Sequence, residues 1–315
     1  MSSYSSDEES IVKNEYLRLR NDPNETGSIY QAISDKLHEK GYERSSESIR
    51  KKVRRMGLPS LQEPVSTRSA IVIPDLQVPY HDQKALKLVE KYMEDKDWDI
   101  YINLGDLLDL PQISHYNDRK PRVVENMRLK EDFDKAEEIL RRHRDLVGED
   151  CEMYYLEGNH EERLARYLDK NPEHEGLIEI PNRLPLDELD IQWIKSYSQG
   201  EKLTIGEANL VHGRYTNKYH SKKHALKYMS NIFYGHTHDV QSFSMETEGS
   251  DHTYIGQSLG CLCDYELQYK QGQPDNWQQA VTTFFFQPNG NFNHYISRIF
   301  DYKFVAPSGE TYQLD

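Results

Sequence analysis

Three cysteines in 315 residues, Cys151, Cys261 and Cys263, with no C-x-x-C pair among them, leave no framework for a disulfide-stapled fold or a zinc ribbon. No apolar run approaches the roughly 20 residues that a membrane helix needs, which excludes a helical membrane span. The opening MSSYSSDEESIVKNEY carries acids where a secretory signal carries basic and then apolar residues, so the expected location is the cytoplasm. Repeats and low-complexity tracts are also missing. Positive charge is scarce: 39 Lys and Arg face 53 Asp and Glu, a formal charge of -14. That balance counts against a chain coated in phosphate-binding cations. It does not count against a metal site, because carboxylate ligands need negative potential and bound cations then invert it where substrate lands.

What is present divides the chain. Residues 1–24 are polar and acidic with little periodicity and read as a partly ordered arm or a first helix. In residues 25–58, Ile29, Ile33 and Leu37 fall at helical spacing, the pattern breaks at Gly41, and it restarts with Ile49, Val53 and Met56. Two helices about a glycine turn have the grammar of a helix-turn-helix, and the second carries Arg50, Lys51, Lys52, Arg54 and Arg55. Such a helix contacts nucleic acid or docks on an acidic partner domain, and both readings stand. Residues 59–68, with Pro59 and Pro64, read as a linker to a larger domain over 69–315.

In that domain five apolar segments each run into ligand-type residues: AIVIPDLQ, DIYINLGDLLD, EMYYLEGNHEE, EANLVHG and NIFYGHTH. Each reads as a buried strand and a loop, with helical patterns at Gln83 to Glu94 and Leu129 to Leu146 between them. Strand ends meeting at one edge are how open α/β folds build a site from distant residues. After Ser242 apolar and aromatic residues alternate, which predicts antiparallel strands completing a second sheet. Hydrolysis of a phosphate ester needs a strong nucleophile, neutralised phosphoryl oxygens and a proton donor near the leaving oxygen. Two cations about 3.5–4 Å apart supply most of that. Such cations take carboxylate, imidazole and amide-oxygen ligands, and Asp75, Gln77, Asp106, Asn159, His212, His236 and His238 make that set.

The ordered motifs PDLQ, GDLLD, GNHE, VHG and GHTH resemble the calcineurin-like metallophosphoesterase superfamily, from about Ala70 to Phe300. DLQVPYHD, GHTHDV and GQSLGCLCDYELQYKQGQPDNWQQA resemble phage-encoded members of it, as does the small helix-turn-helix-like unit ahead. The resemblance implies an α/β fold, a sandwich of two β-sheets flanked by helices, plus the small N-terminal helical unit. It assigns a first metal to Asp75, Gln77, Asp106 and His238 and a second to Asp106, Asn159, His212 and His236. Asp106 would bridge, and a hydroxide held between the cations would attack phosphorus. His160 would contact the phosphate or protonate the leaving oxygen, oriented by Asp109. Gln77 stands where the family has His. Its neutral amide oxygen loosens the first cation and favours Mn2+, with Mg2+, Zn2+, Fe or Ni2+ as alternatives.

Other residues admit two readings each. His81 compensates for Gln77 or merely caps a loop. His220 to His224, with Arg214 and Tyr215, grips substrate phosphates or forms a solvated basic turn. Arg163 reaches the site or stays on a helix surface, and Cys261 and Cys263 read as strand packing. The function expected is a metal-dependent phosphoesterase, a phosphodiesterase or nuclease acting on nucleic acid or nucleotide, with Arg50, Lys51, Arg54, Arg55 and Arg214 as substrate contacts. The alternatives are a phosphomonoesterase on a small substrate and a non-catalytic nucleic-acid-binding or scaffold protein with a degenerate metal site. A serine/threonine phosphatase lacks support, since Asp109 is followed by Leu110 and Pro111 rather than Arg-Gly. Expected partners are a phosphate ester and nucleic acid, with no membrane. A phage-encoded chain would work in host cytoplasm, and oligomeric state is not legible.

Overall fold

A computed structural model describes residues 4–20, 29–56, 67–117, 122, 124–246, 253–265 and 276–314. The chain divides into two compact units, Met1–Val65 and Ser66–Asp315. The proline-bearing segment read as a linker lies almost wholly outside the described residues, as does 266–275.

Among the described residues the first unit holds three helices, α1 (Ser6–Arg20), α2 (Ile29–Glu39) and α3 (Ser46–Arg55). The acidic segment is a helix because its acids find partners. Ser5 and Glu8 form a reciprocal cap, with Ser5 N donating to Glu8 Oε2 (2.7 Å) and Glu8 N to Ser5 Oγ (3.3 Å). Glu8 also takes Arg44 (2.6 Å), whose hydrogen bond lowers the Glu8 pKa to about 2. Glu15 pairs with Lys36 and Glu9 with Lys52. Val12, Tyr16 and Leu19 of α1 share a core with Ile33, Leu37, Ile49 and Val53, so the boundary drawn at residue 24 does not separate an arm from the helical pair. α2 ends as the glycine predicts: Gly41 sits at φ +83°, Tyr42 N donates to Leu37 O and Gly41 N to His38 O.

The second unit is layered. β1 (Arg68–Ile73), β2 (Ile100–Asn103), β3 (Glu152–Leu156) and β4 (Ile191–Ile194) run parallel in one sheet, with α4 (Gln83–Glu94), α5 (Leu129–Val147), α6 (Asn159–Leu168) and the short α7 (Ile180–Arg183) between them. The second sheet has the order β5-β6-β7-β9-β8, built from β5 (Leu203–Ile205), β6 (Ala208–Val211), β7 (Asn231–Tyr234), β8 (Ser242–Glu246) and β9 (Thr253–Ser258), with α8 (His220–Tyr228) preceding β7. Period-two alternation assigns the faces. Ile71 and Ile73 pack with Leu86, Val89, Phe133 and Ile139 under α4 and α5, while Ala70 and Val72 join Ile102, Leu210, Phe233 and Phe284 between the sheets.

Two strands depart from expectation. β10 (Ala280–Phe286) and β11 (Phe292–Arg298) do not complete the second sheet. β10 pairs antiparallel with β1, and β11 with β10, extending the first sheet. The sequence explains it in retrospect: six of the seven β10 residues are buried, which a strand covered on both faces requires. A final hairpin, β12 (Lys303–Val305) with β13 (Thr311–Gln313), packs Phe304 and Tyr312 around Tyr92 of α4. Among the described residues no helix is long and apolar enough to cross a membrane.

One buried acid makes the unit's stability pH-dependent. Asp132, in the first turn of α5, accepts from Gln112 Nε2 at 2.7 Å. Burial, with Asp109 and Glu131 near, still pushes its pKa from 3.8 up to about 6. The folded chain then binds this proton more tightly than the unfolded one, so its contribution is fullest below pH 4 and is lost as pH rises to about 6. Asp132→Asn should therefore raise stability at pH 8 by about 1–2 kcal/mol, allowing for solvent screening, and change it little at pH 4. Denaturant melts at the two pH values check this; an equal shift at both would contradict it.

Candidate dinuclear metal centre

The C-terminal ends of β1, β2 and β3 in one sheet and β6 and β7 in the other open onto one cleft. Asp75 and Gln77 follow β1, Asp106 and Asp109 follow β2, Asn159 and His160 follow β3, His212 follows β6, and His236 and His238 follow β7. The loops are tied to one another through backbone: Gln77 N donates to Asp106 O (2.8 Å), Val78 N to Leu107 O (2.7 Å) and Leu262 N to Asp75 O (3.1 Å). Asp75, Gln77, Asp106, His236 and His238 all have φ between +38° and +67°. Each such conformation costs a non-glycine residue about 1–3 kcal/mol, so five at one cleft mark a site whose surroundings enforce side-chain direction.

The seven predicted ligands converge as two groups with one member in common. Asp75, Asp106 and His238 bring donor atoms within 4.8 Å of one another, and so do Asp106, His212 and His236. His238 Nε2 is 3.3 Å from Asp75 Oδ1, and His212 Nε2 is 3.3 Å from Asp106 Oδ2 and 3.0 Å from Asn159 Oδ1. His212 Nδ1 donates to Leu104 O (3.0 Å), which leaves Nε2 as its ligating nitrogen. Asp75 is held open by His236 N (2.9 Å to Oδ1), and the Gln77 amide lies 3.1 Å from His238 Nε2. Gln77 Oε1 is buried with no hydrogen-bond partner, a lone pair left for a cation.

Charge points the same way. Burial opposes the charged forms of His212 and His238, yet Asp106 lifts the first to about 10 and Asp75 the second to about 9. His236, buried beside His212, falls to about 3 and stays neutral. Two buried carboxylates therefore draw in protons that a divalent cation would displace. Oxygen and imidazole donors without thiolate fit Mn2+, Mg2+, Fe or Zn2+.

His160 lies at the cleft wall. Its Nδ1 donates to Asp109 O (2.9 Å) with the Asp109 carboxylate at 3.4 Å, and its Nε2 is 3.7 Å from Asp106 Oδ2. Burial disfavours the imidazolium, but Asp106 and Asp109 raise its pKa nonetheless.

Two supporting residues escaped the sequence reading. Glu161, the last letter of GNHE, is buried and accepts from Asp106 N (3.0 Å), Gly158 N (2.8 Å), Leu108 N (3.0 Å) and Tyr155 Oη (2.8 Å). It clamps the Asp106 loop to the start of α6; its signal was in the motif, but not its target. Cys263, taken for strand packing, places Sγ 3.7 Å from His238 Nδ1, and with Cys261 these atoms form a third group within 4.8 Å. Cys263 is thus the outer partner of His238, a predicted ligand of the first site. Cys263→Ala should weaken the first cation about tenfold and spare the second, read by calorimetric Mn2+ titration; two unchanged affinities would remove Cys263 from this role.

Several candidates sit elsewhere. His81 is buried among Lys135, Arg142 and Glu90 on the α5 side and does not line the cleft. His220 and His224 neither grip phosphate nor form a solvated turn. Four residues apart, they face inward from α8, His220 between Tyr234 Oη (2.7 Å) and Asp239 Oδ2 (3.0 Å), His224 stacked 3.7 Å from Tyr234. Arg214 lies over the Tyr197 ring and donates to Tyr197 O. Arg163 does reach the site, donating to Asp109 O (2.7 Å) and lining the cleft with Tyr80, Asn117 and Trp277. In the first unit Arg50 is half-buried on α3 and Lys52 is held by Glu9, while the side chains of Lys51, Arg54 and Arg55 lie outside the described residues.

No family model matches the chain. The Gene 54 protein of Mycobacterium phage L5 is 25% identical over 236 residues, spanning 68% of this chain and 87% of that one. The Gene 54 protein of Mycobacterium phage D29 is 24% identical over 234 residues, with the same shares. Among solved structures the chain is similar to Vps29 from Cryptosporidium parvum, at 14% identity and TM-score 0.39 over 78% of this chain and 95% of that one. It is also similar to a single-mutant Vps29 from Entamoeba histolytica, at 13% identity and TM-score 0.35 over 78% and 99%. The site therefore stands on this chain's own geometry.

Proposed function

We propose that the chain is a metallophosphoesterase that hydrolyses phosphate esters at a pair of divalent cations, with a phosphodiester of nucleic acid or nucleotide as substrate. The observation that carries this reading is the pair of largely buried ligand groups sharing Asp106. Asp75, Gln77, Asp106 and His238 would hold one cation, and Asp106, Asn159, His212 and His236 the other. When bound, such a pair neutralises phosphoryl charge and supplies an ionised water at neutral pH. The protein's own part is to fix the ligands in advance through paired loops and to exclude water from two carboxylates. It also sets a proton donor beside the phosphate. His160, with Nδ1 committed to Asp109, presents Nε2 to the cleft and gives its proton to the leaving oxygen. The choice of nucleic acid draws on the cations of α3, and on a second opening of the cleft described below.

Hydrolysis of a bis-aryl phosphate and an aryl monoester over a Mn2+ titration tests the reading. Activity should rise with Mn2+ and vanish in chelator, and His160→Ala should lower kcat about 10²–10³-fold with Mn2+ affinity kept. Absence of turnover with every divalent ion and both esters would refute it.

A further inference from the structure

Beside the catalytic cleft, of about 430 Å³, lies a second lobe of about 540 Å³, and the two share Asn159, Arg163 and His236. Two predicted metal ligands thus form the waist between two cavities. A phosphomonoester has one substituent on phosphorus and needs one cavity, whereas a diester has two that diverge. The lobes also differ in chemistry. Tyr80, Pro111 and Trp277 give the cleft broad apolar walls. The second lobe is lined by Arg163, Arg166 and Lys170, with Tyr167 and Tyr197, and among the described residues by no Asp or Glu. In a chain with 53 acids and 39 Lys and Arg, a cavity of that size with three such cations and no acid among its described lining residues runs against the overall charge.

The cations come from one stretch at spacings of three and four, along α6 and just past its end, so they face one way. Arg163 is oriented by the Asp109 and Leu110 carbonyls, which take only Nη1. Arg166 is itself exposed and pairs with the largely buried Glu162, which holds its guanidinium at the lobe. Lys170 is exposed and has no carboxylate partner among the described residues.

We propose, resting on the two-metal reading, that this lobe binds the phosphate adjoining the scissile one in a single-stranded oligonucleotide. Arg166 and Lys170 receive that phosphate, and Tyr167 and Tyr197 offer ring faces to its nucleoside. The cavity has the size of a ligand pocket, which suits one nucleotide of a single strand and not a duplex.

The test compares a single-stranded DNA hexamer, the same sequence as duplex, and a bis-aryl phosphate, all in Mn2+, for wild type and for Arg166→Gln/Lys170→Gln. The double variant should lower kcat/KM for the single strand at least tenfold more than for the aryl ester. Its salt slope should flatten by about 0.7, the value for one single-strand phosphate. The charge-keeping Arg166→Lys/Lys170→Arg protein should recover most of the difference. An equal loss on both substrates, or a wild type that turns over the aryl ester but not the single strand, would overturn the proposal and leave the two-metal reading standing. If no ester is hydrolysed, hexamer binding by fluorescence anisotropy still decides: tenfold weaker binding by the Gln variant supports the lobe, and equal binding sinks it.

Discussion

Asp106→Asn is expected to lower kcat/KM for a bis-aryl phosphate by about 10³–10⁴, some 4–5 kcal/mol of transition-state stabilisation, and to cut Mn2+ stoichiometry from two to at most one. Asp106 is the one residue common to both ligand groups, so its charge would serve both proposed cations at once. The amide is nearly isosteric, and its oxygen can still accept the His160 backbone N–H that now bonds Oδ1 at 3.0 Å. Fold and loop position should therefore survive, and the loss should be electrostatic. The remaining negative ligand, Asp75, belongs to the first group alone. Retention of more than a tenth of wild-type activity, or of two tightly bound Mn2+, would show that Asp106 is not shared.

Gly158→Ala should be nearly as damaging although glycine ligates nothing. A Cβ there would stand 2.1 Å from Asp106 Oδ1, 2.4 Å from Asp106 N and 2.7 Å from Glu161 Oε2, so the carboxylate and its loop must move. A displacement near 1 Å is enough to cost about 10²-fold in rate. We expect a 10²–10³-fold fall in kcat/KM with a clear loss of Mn2+ affinity. Gly176→Ala supplies the control, since its Cβ would meet nothing within 4 Å; only the strain of φ +84° applies, about 1 kcal/mol, and activity should hold. Near-wild-type rates in Gly158→Ala would mean that Asp106 need not sit where it does.

Much of the fold was legible because parallel strands covered on both faces read as apolar runs, and each run here ends in residues that only a polar site tolerates. α4 was legible to the residue, Gln83–Glu94, from its periodicity. The destination of β10 and β11 was not, because alternation reports that a strand is half or fully covered and never which sheet covers it. His220 and His224 misled for a related reason. A histidine between lysines looks basic and solvated, yet on α8 the i, i+4 pair turns inward and the lysines outward. Glu161 and Cys263 were hidden because their partners lie 55 and 25 residues away.

By itself, then, the sequence determined the donor set, its order along the chain and its attachment to strand ends, since those follow from local pattern and side-chain chemistry. The tertiary structure alone decided that Asp75 and His236, 161 residues apart, meet at 2.9 Å, and that a second, cationic cavity opens off the first. Spacing within a strand or helix sets which side chains share a face, but the distance between strand ends is set by sheet order and by how two sheets pack. Neither is written in any single segment.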